Sequence, residues 1–104
     1  MDVQVWEGLE PPLSPEEVLE RARSGISLGD QDLEGMDLRG ASLIGADFDG
    51  ASLTRVDFSG SDLTAACFRQ AKLDRICFRG CILRSVDWHG STRSQCDFLG
   101  AIWV

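Results

Sequence analysis

The chain has 104 residues with a formal net charge of −7, and 43% of its residues are hydrophobic. This length allows one domain with a modest core. No apolar run approaches the length of a membrane span, and the first ten residues, MDVQVWEGLE, carry acids where a secretion signal has basic residues. These totals exclude a membrane-spanning helix and predict a soluble, cytoplasmic protein without membrane contact.

Residues 1–25 are predicted to form a leader and a short capping helix. In the segment LSPEEVLERARSG, residues 13–25, Ser14 is the expected N-cap, Glu17 completes a capping box, and proline takes the first helical position. The helix is expected to cover the first turn of the following segment, since repeat folds need polar caps. The leader leaves two alternatives open, because Trp6 either packs on that first turn or belongs to a mobile segment.

Residues 26–104 are predicted to form a second segment, built from a five-residue repeat. A large apolar residue occupies fifteen of the sixteen positions taken every five residues from Leu28 to Trp103. A small or apolar residue mostly stands two positions earlier, and glycine closes many units. A spacing of five fits neither the 3.6-residue period of a helix nor the alternation of a strand. The repeat therefore indicates a different architecture.

The repeat unit resembles that of the pentapeptide-repeat family, which reads roughly Ala-(Asp/Asn)-Leu-x-x. The stretch GADFDGASLTRVDFSGSDL, residues 45–63, matches the unit four times in succession. The resemblance covers about residues 26–104. It implies an all-β fold, a right-handed quadrilateral β-solenoid of about four coils, with one unit on each side and about twenty residues per turn. The central large residue of each unit and the small residue two before it would point inward.

The alternation of Leu and Phe between Leu43 and Leu83 is consistent with four sides. At twenty residues per turn, leucines fill two sides of the coil. Aromatic residues stack on the two opposite sides, Phe48, Phe68 and Trp88 on one and Phe58, Phe78 and Phe98 on the other. Such ladders would suit a closely packed core.

Arg93 is the one charged residue among the sixteen central positions, where an unpaired guanidinium would be costly. Either the backbone deviates there or the side chain reaches outward.

The surrounding turn is rich in aromatic residues, and the sequence ends at Val104 without a segment expected to cover that turn. An uncovered apolar end invites another chain. We therefore predict partner contacts in the C-terminal coil, at Ile82, Arg93, Ile102, Trp103 and Val104. Self-association into a homodimer is the simplest use, and a different protein is the alternative partner.

A second candidate contact lies on the side that carries Leu53 and Leu73. Arg55, Lys72 and Arg75 should point outward there, toward an acidic protein surface or a phosphate group. The alternative is an ordinary solvated surface.

The sequence does not indicate an enzyme, and we predict no catalytic, cofactor or metal site. It has no Ser/His/Asp set, no phosphate-binding loop and only one histidine, His89. The four cysteines form no CxxC pair and are expected to be reduced, mostly buried apolar residues.

The expected function is that of a protein–protein interaction module or scaffold. Short solenoids with a lead-in of the type SPEEVLERARSGISLGDQDLEGMDL look like modules that accompany bacterial type VI secretion effector-loading proteins, so the resemblance implies an adaptor.

The alternative is DNA mimicry, since some members of the family bind and protect DNA gyrase. A rise of about 19 Å over four turns would match about eleven charges of B-DNA. Residues 26–64 net −6, but residues 65–104 net +3, so mimicry has the weaker support. Direct nucleic-acid binding is not expected.

Overall fold

The five-residue repeat folds into a right-handed quadrilateral β-solenoid, as predicted. The computed structural model describes residues 13–103, so the expectations for Trp6 and Val104 lie outside the described residues. Its elements are helix α1 at Pro15–Arg23 and strands β1 at Asp32–Glu34, β2 at Ser52–Thr54, β3 at Lys72–Asp74 and β4 at Thr92–Ser94. The strands form one parallel sheet in chain order, and neighbouring strands pair at residues twenty positions apart, which is one turn of the coil.

Each turn has four sides, which we number in chain order. Side one carries the strands, with Leu33, Leu53, Leu73 and Arg93 at the central positions. Sides two, three and four are joined from turn to turn by single parallel bridges. Their central residues are Leu38, Phe58, Phe78 and Phe98 on side two, Leu43, Leu63, Leu83 and Trp103 on side three, and Leu28, Phe48, Phe68 and Trp88 on side four.

Two aromatic ladders fill the core, as the alternation of Leu and Phe predicts. On side four the rings of Phe48 and Phe68 stack with centroids 5.0 Å apart, and on side two Phe58 and Phe78 stack at 5.5 Å. The two ladders meet edge to face, with the rings of Phe48 and Phe58 6.0 Å apart. Both arrangements are favourable for aromatic rings. Backbone hydrogen bonds also join the turns that carry these rings; the N–H of Phe58 donates to the carbonyl oxygen of Cys77, one turn later, at 2.8 Å.

Helix α1 begins with the predicted capping box and covers the first turn. The N–H of Glu17 donates to Ser14 Oγ, and the N–H of Ser14 donates to Glu17 Oε1, both at 3.2 Å. Val18 is fully buried against the solenoid core. Three further apolar residues pack against the same core, Leu13, Leu19 and Ala22. Within the described residues, no helix is long and apolar enough to cross a membrane.

The corners of the coil are made by a residue in the left-handed conformation at every fifth position. From Asp30 to Gly100 these corner residues have φ between 52° and 75°. Glycine adopts this conformation without strain, whereas a residue with a Cβ does not. Seven corners nevertheless carry a side chain, at Asp30, Arg55, Ala65, Gln70, Arg75, Ser85 and Gln95. Each of these corners stores a small strain that the surrounding ladder sustains.

We expect Ala65→Gly to stabilise the chain and Gly40→Ala to destabilise it. Ala65 has φ 60°, a left-handed conformation that costs about 1–2 kcal/mol for a residue with a Cβ and that glycine adopts without strain. Glycine also raises the conformational entropy of the unfolded chain, which offsets part of this gain. We therefore expect a net stabilisation of up to about 1 kcal/mol. A Cβ added at Gly40 meets nothing within 4 Å, so its cost, about 1 kcal/mol, is conformational alone. Urea unfolding of both variants measures the two changes. Equal or inverted signs would contradict the assignment of strain to the corners.

Candidate interaction surface

The last turn of the solenoid leaves its aromatic residues partly uncovered. Phe68 and Phe78 in the preceding turn are fully buried, but Trp88 and Phe98, at the equivalent positions one turn later, are only half-buried. Trp103 is 49% exposed. Among residues 13–103, none therefore covers this end of the core. We call it the end surface, defined by the central residues Trp88, Arg93, Phe98 and Trp103 with Leu99 and Ile102 at its rim.

Arg93 stays in register and places its guanidinium on an aromatic ring. Arg93 pairs with Leu73 in the parallel ladder, so the backbone does not deviate there, and the exposed side chain turns over the uncovered end of the coil rather than away from its side. Its Cζ atom lies 5.2 Å from the ring centroid of Trp88, the geometry of a cation–π contact. Phe68 stacks on the other face of that ring at 5.1 Å. The end surface therefore combines aromatic rings with one positive charge, which sits where it can still reach water.

Two aliphatic residues extend the end surface over its rim. Ile102 is 42% exposed and lies next to half-buried Ile82, to which it is bridged across one turn. The structure thus brings together four of the five residues predicted for the C-terminal contact, and the fifth, Val104, lies outside the described residues. Leu99, 67% exposed, completes the rim and was missed by the sequence reasoning. The sequence does distinguish Leu99, because the residues at the equivalent position of side two in the other turns are polar: Arg39, Ser59 and Arg79.

The predicted basic surface is less continuous than the sequence suggests. Arg55, Lys72 and Arg75 are all exposed on side one or its corner. However, Arg55 Nη1 lies 3.4 Å from Glu34 Oε1, and Arg75 Nε donates to Gln95 Oε1 at 3.2 Å. Arg93 does not join this group, because its guanidinium turns to Trp88. Two of the three cations of side one therefore have polar partners, and the three do not form a row of free charges.

The repeated aspartates serve the turns of the coil. On sides two, three and four the carboxylate accepts the backbone N–H two residues later, as Asp62 does from Thr64 at 3.0 Å and Asp47 from Asp49 at 2.9 Å. Hydrogen bonds from the hydroxyl and N–H of Thr64 lower the pKa of Asp62. A hydrogen bond from Arg39 lowers the pKa of Asp37 to about 2. Their spacing is thus explained by backbone geometry, as the repeat implies.

The cysteines and the carboxylates near them carry no assigned chemistry. All four cysteines are free; Cys81 is buried, and Cys67, Cys77 and Cys96 are half-buried. Burial raises the pKa of the Cys81 thiol to about 11, so it behaves as an apolar residue. The ligand atoms of Asp47, Asp49 and Cys67 lie within 4.8 Å of one another. Asp47 also holds the turn described above, and we assign no metal to this group.

Comparisons with known proteins agree with this architecture. A sequence profile described as Pentapeptide repeats matches residues 24–60 and 43–80, in 8 copies, which together span more than half of the chain. No curated protein matched the sequence.

The chain is also similar to several solved structures. Rfr23 from the cyanobacterium Cyanothece 51142 is 19% identical over 76% of this chain, with a TM-score of 0.42. HetL, involved in heterocyst differentiation regulation in Nostoc sp. strain PCC 7120, is 29% identical over 73%, with a TM-score of 0.45. QnrB1, a plasmid-mediated fluoroquinolone resistance protein, is 19% identical over 74%, with a TM-score of 0.48. The matches span 65%, 40% and 50% of those three chains.

Proposed function

Because the chain belongs to the pentapeptide-repeat family, we propose that it is a non-enzymatic protein-interaction module that joins a second copy of itself through the end surface. The single observation that carries the proposal is the exposure of neighbouring large apolar side chains at one end of the solenoid. Leu99, Ile102 and Trp103 are between 42% and 67% exposed, beside the half-buried rings of Trp88 and Phe98. Contiguous apolar patches of this kind mark interaction sites.

The two ends of the solenoid differ, and the difference favours a closed pair over a filament. At the N-terminal end, α1 covers the first turn and buries Val18 completely. A second copy can therefore stack on the end surface but not on the opposite end. Two like surfaces that meet through a twofold axis form a closed dimer. The unpaired edge of β4 and the three aromatic rings would be covered in the same step.

We further propose that the pair works as a cytoplasmic bacterial adaptor, an accessory to the loading of secreted effectors of the type VI kind. A dimer leaves the outer sides of both solenoids free for a cargo protein. The separated cations Arg55, Lys72 and Arg75 suit an acidic surface of that cargo. Co-purification of a tagged chain with an effector-loading protein tests this role, and the Lys72→Glu/Arg75→Glu double variant should release the cargo without changing the dimer.

The alternative function is protection of DNA gyrase by DNA mimicry. The acidic residues give it limited support, since several carboxylates are already paired with arginines. Arg39 lies 2.9 Å from Asp37, and Arg69 lies 3.4 Å from Asp87. A supercoiling assay with DNA gyrase and a fluoroquinolone separates the two functions. Dose-dependent protection by the purified chain would favour mimicry, and its absence would favour the adaptor.

Self-association should make the melting temperature depend on protein concentration, because binding of a second folded copy stabilises the folded state by mass action. We expect the melting temperature of the wild type to rise with concentration. Trp103→Asp should abolish that rise, because it places a charge within the end surface. The matched control is Ile44→Asp, since Ile44 is 57% exposed on the same side, in the first turn. A flat wild-type profile, or loss of the rise in both variants, would contradict the proposal.

A further inference from the structure

We propose that the N-terminal end of the solenoid binds an extended segment of another protein, of alternating basic and apolar residues, which adds a strand to the free edge of β1. This inference goes beyond the proposed function, because the site lies at the opposite end of the coil from the end surface. A groove of about 410 Å³ opens beside β1, and this volume is in the range of ligand pockets. We call it the β1 groove, defined by its lining residues Leu13, Asp32, Leu33, Glu34 and Met36.

The backbone of β1 is unpaired toward this groove. β1 is the edge strand of the sheet and pairs with β2 on its other side. Toward β2, the N–H of Gly35 donates to the carbonyl oxygen of Thr54 at 2.9 Å. Backbone groups alternate in direction along a strand, so those of Asp32 and Glu34 point the opposite way. Within residues 13–103, no backbone group hydrogen-bonds to the N–H or carbonyl oxygen of Asp32 or Glu34 on that side.

The β1 groove determines which side chains an added strand would carry. Leu33 is buried in the core, whereas its neighbours Asp32 and Glu34 are exposed on the outer face of side one. In a strand laid along β1, every second side chain would lie over the apolar lining formed by Leu33, Met36 and Leu13. The alternate side chains would lie next to the two carboxylates. The segment that fits therefore alternates apolar and basic residues.

Charge favours a basic segment at this end of the coil. Residues 31–50, the first full turn, carry five acids and one base, a net charge of −4. Among the described residues, Asp32 has no ion-pair partner, and Glu34 has only the exposed Arg55 at 3.4 Å. The residues that precede Leu13 carry three acids and no base, so charge disfavours them as the occupant of the groove.

The free edge is short, which limits the length of the bound segment. Corner residues in the left-handed conformation stand at both of its ends, Asp30 with φ 60° and Gly35 with φ 63°. The residues between these corners run along the groove for about 13 Å, at about 3.3 Å per residue. A partner therefore needs about four extended residues, paired through the backbone as in other cases of strand addition.

A hexapeptide of alternating lysine and valine is the probe, and fluorescence anisotropy measures its binding to the full chain. Two further versions carry backbone N-methyl groups, on the valines in one and on the lysines in the other. A strand presents every second N–H to its neighbour, so only one of the two methylations removes hydrogen bonds to β1. We expect that version to bind at least about tenfold more weakly, and the other to bind like the parent peptide. Loss with methylated valines indicates a parallel strand, and loss with methylated lysines an antiparallel one.

Asp32→Lys tests the charge of the groove, and Asp49→Lys is the matched control. Both aspartates are exposed in the first turn, but Asp49 does not line the groove. Asp32→Lys should weaken binding of the peptide about two- to fivefold, the range of an exposed ion pair, and should strengthen binding of a peptide with glutamate in place of lysine. Asp49→Lys should have the smaller effect on both peptides. Circular dichroism confirms that both variants are folded.

Three results would overturn the proposal. Absence of binding of the parent peptide to the full chain would mean that the groove does not accept a partner, whether the residues before Leu13 or another copy fill it. Equal effects of the two methylations would show that the edge of β1 does not pair with the peptide. Equal effects of Asp32→Lys and Asp49→Lys would show that only the net charge of the chain matters. None of these results affects the proposed dimer, which the molar mass tests separately.

Discussion

Replacing Phe58 by Ala is expected to lower the free energy of unfolding by about 3–5 kcal/mol. Phe58 is fully buried on side two, stacked on Phe78 at 5.5 Å and edge to face with Phe48 and Phe68 at 6.0 and 6.3 Å. Removing its ring interrupts the stack of side two and leaves a cavity beside Phe48 and Phe68 of side four. The turns above and below are tied by backbone hydrogen bonds, so they cannot close on the cavity. A loss of this size is a large part of the stability of a small domain.

Phe98→Ala is the matched control for this prediction. Phe98 occupies the equivalent position of side two in the last turn, where its ring is only half-buried. Its replacement should cost clearly less in a dilute, monomeric sample, because less apolar surface returns to water. Urea unfolding followed by circular dichroism gives both values. Equal losses, or an unchanged curve for Phe58→Ala, would contradict the assignment of the inward sides.

Leu53→Arg should be more damaging still and is expected to cost more than about 4 kcal/mol, enough to unfold most of the chain. Leu53 is 1% exposed and lies between Leu33 and Leu73 in the sheet of side one. A guanidinium there would have no carboxylate to pair with and no route to water. Arg93 occupies the same position two turns later and is tolerated only because the end surface is open.

The reverse change, Arg93→Leu, is the control for that comparison. It should leave the stability of the monomer unchanged or slightly higher, since it restores the repeat and loses only a solvent-accessible cation–π contact. Thermal melts of both variants at low concentration provide the test. A Leu53→Arg chain that folds with wild-type stability would mean that side one is not packed as described.

The sequence was sufficient to predict the fold because each level of the pattern repeats. The period of five, the alternation of Leu and Phe and the Ser14 capping box are local signals, and neighbouring turns reinforce them. The stacking of Phe48 on Phe68 followed from counting alone, since twenty residues make one turn. The same regularity made Arg93 visible as an exception. The position of its guanidinium could be found only from the structure, because the ring that it contacts, Trp88, belongs to the preceding side of the coil.

The interaction surfaces were less predictable, because they depend on exposure and pairing rather than on periodicity. Leu99 was overlooked although its equivalents are polar, since one outward leucine is unremarkable until its exposure is known. The basic side appeared continuous in sequence, but Glu34 and Gln95 contact two of its arginines. Those partners lie about twenty residues away, and only the coil brings them together.

The central claim is that the end surface joins two copies of the chain, and the molar mass in solution tests it most directly. Multi-angle light scattering of the wild type over a wide concentration range is predicted to approach twice 11.4 kDa and to fall toward 11.4 kDa on dilution. A mass that stays at 11.4 kDa at every concentration would contradict the claim. The aromatic end would then have to be explained without a second copy.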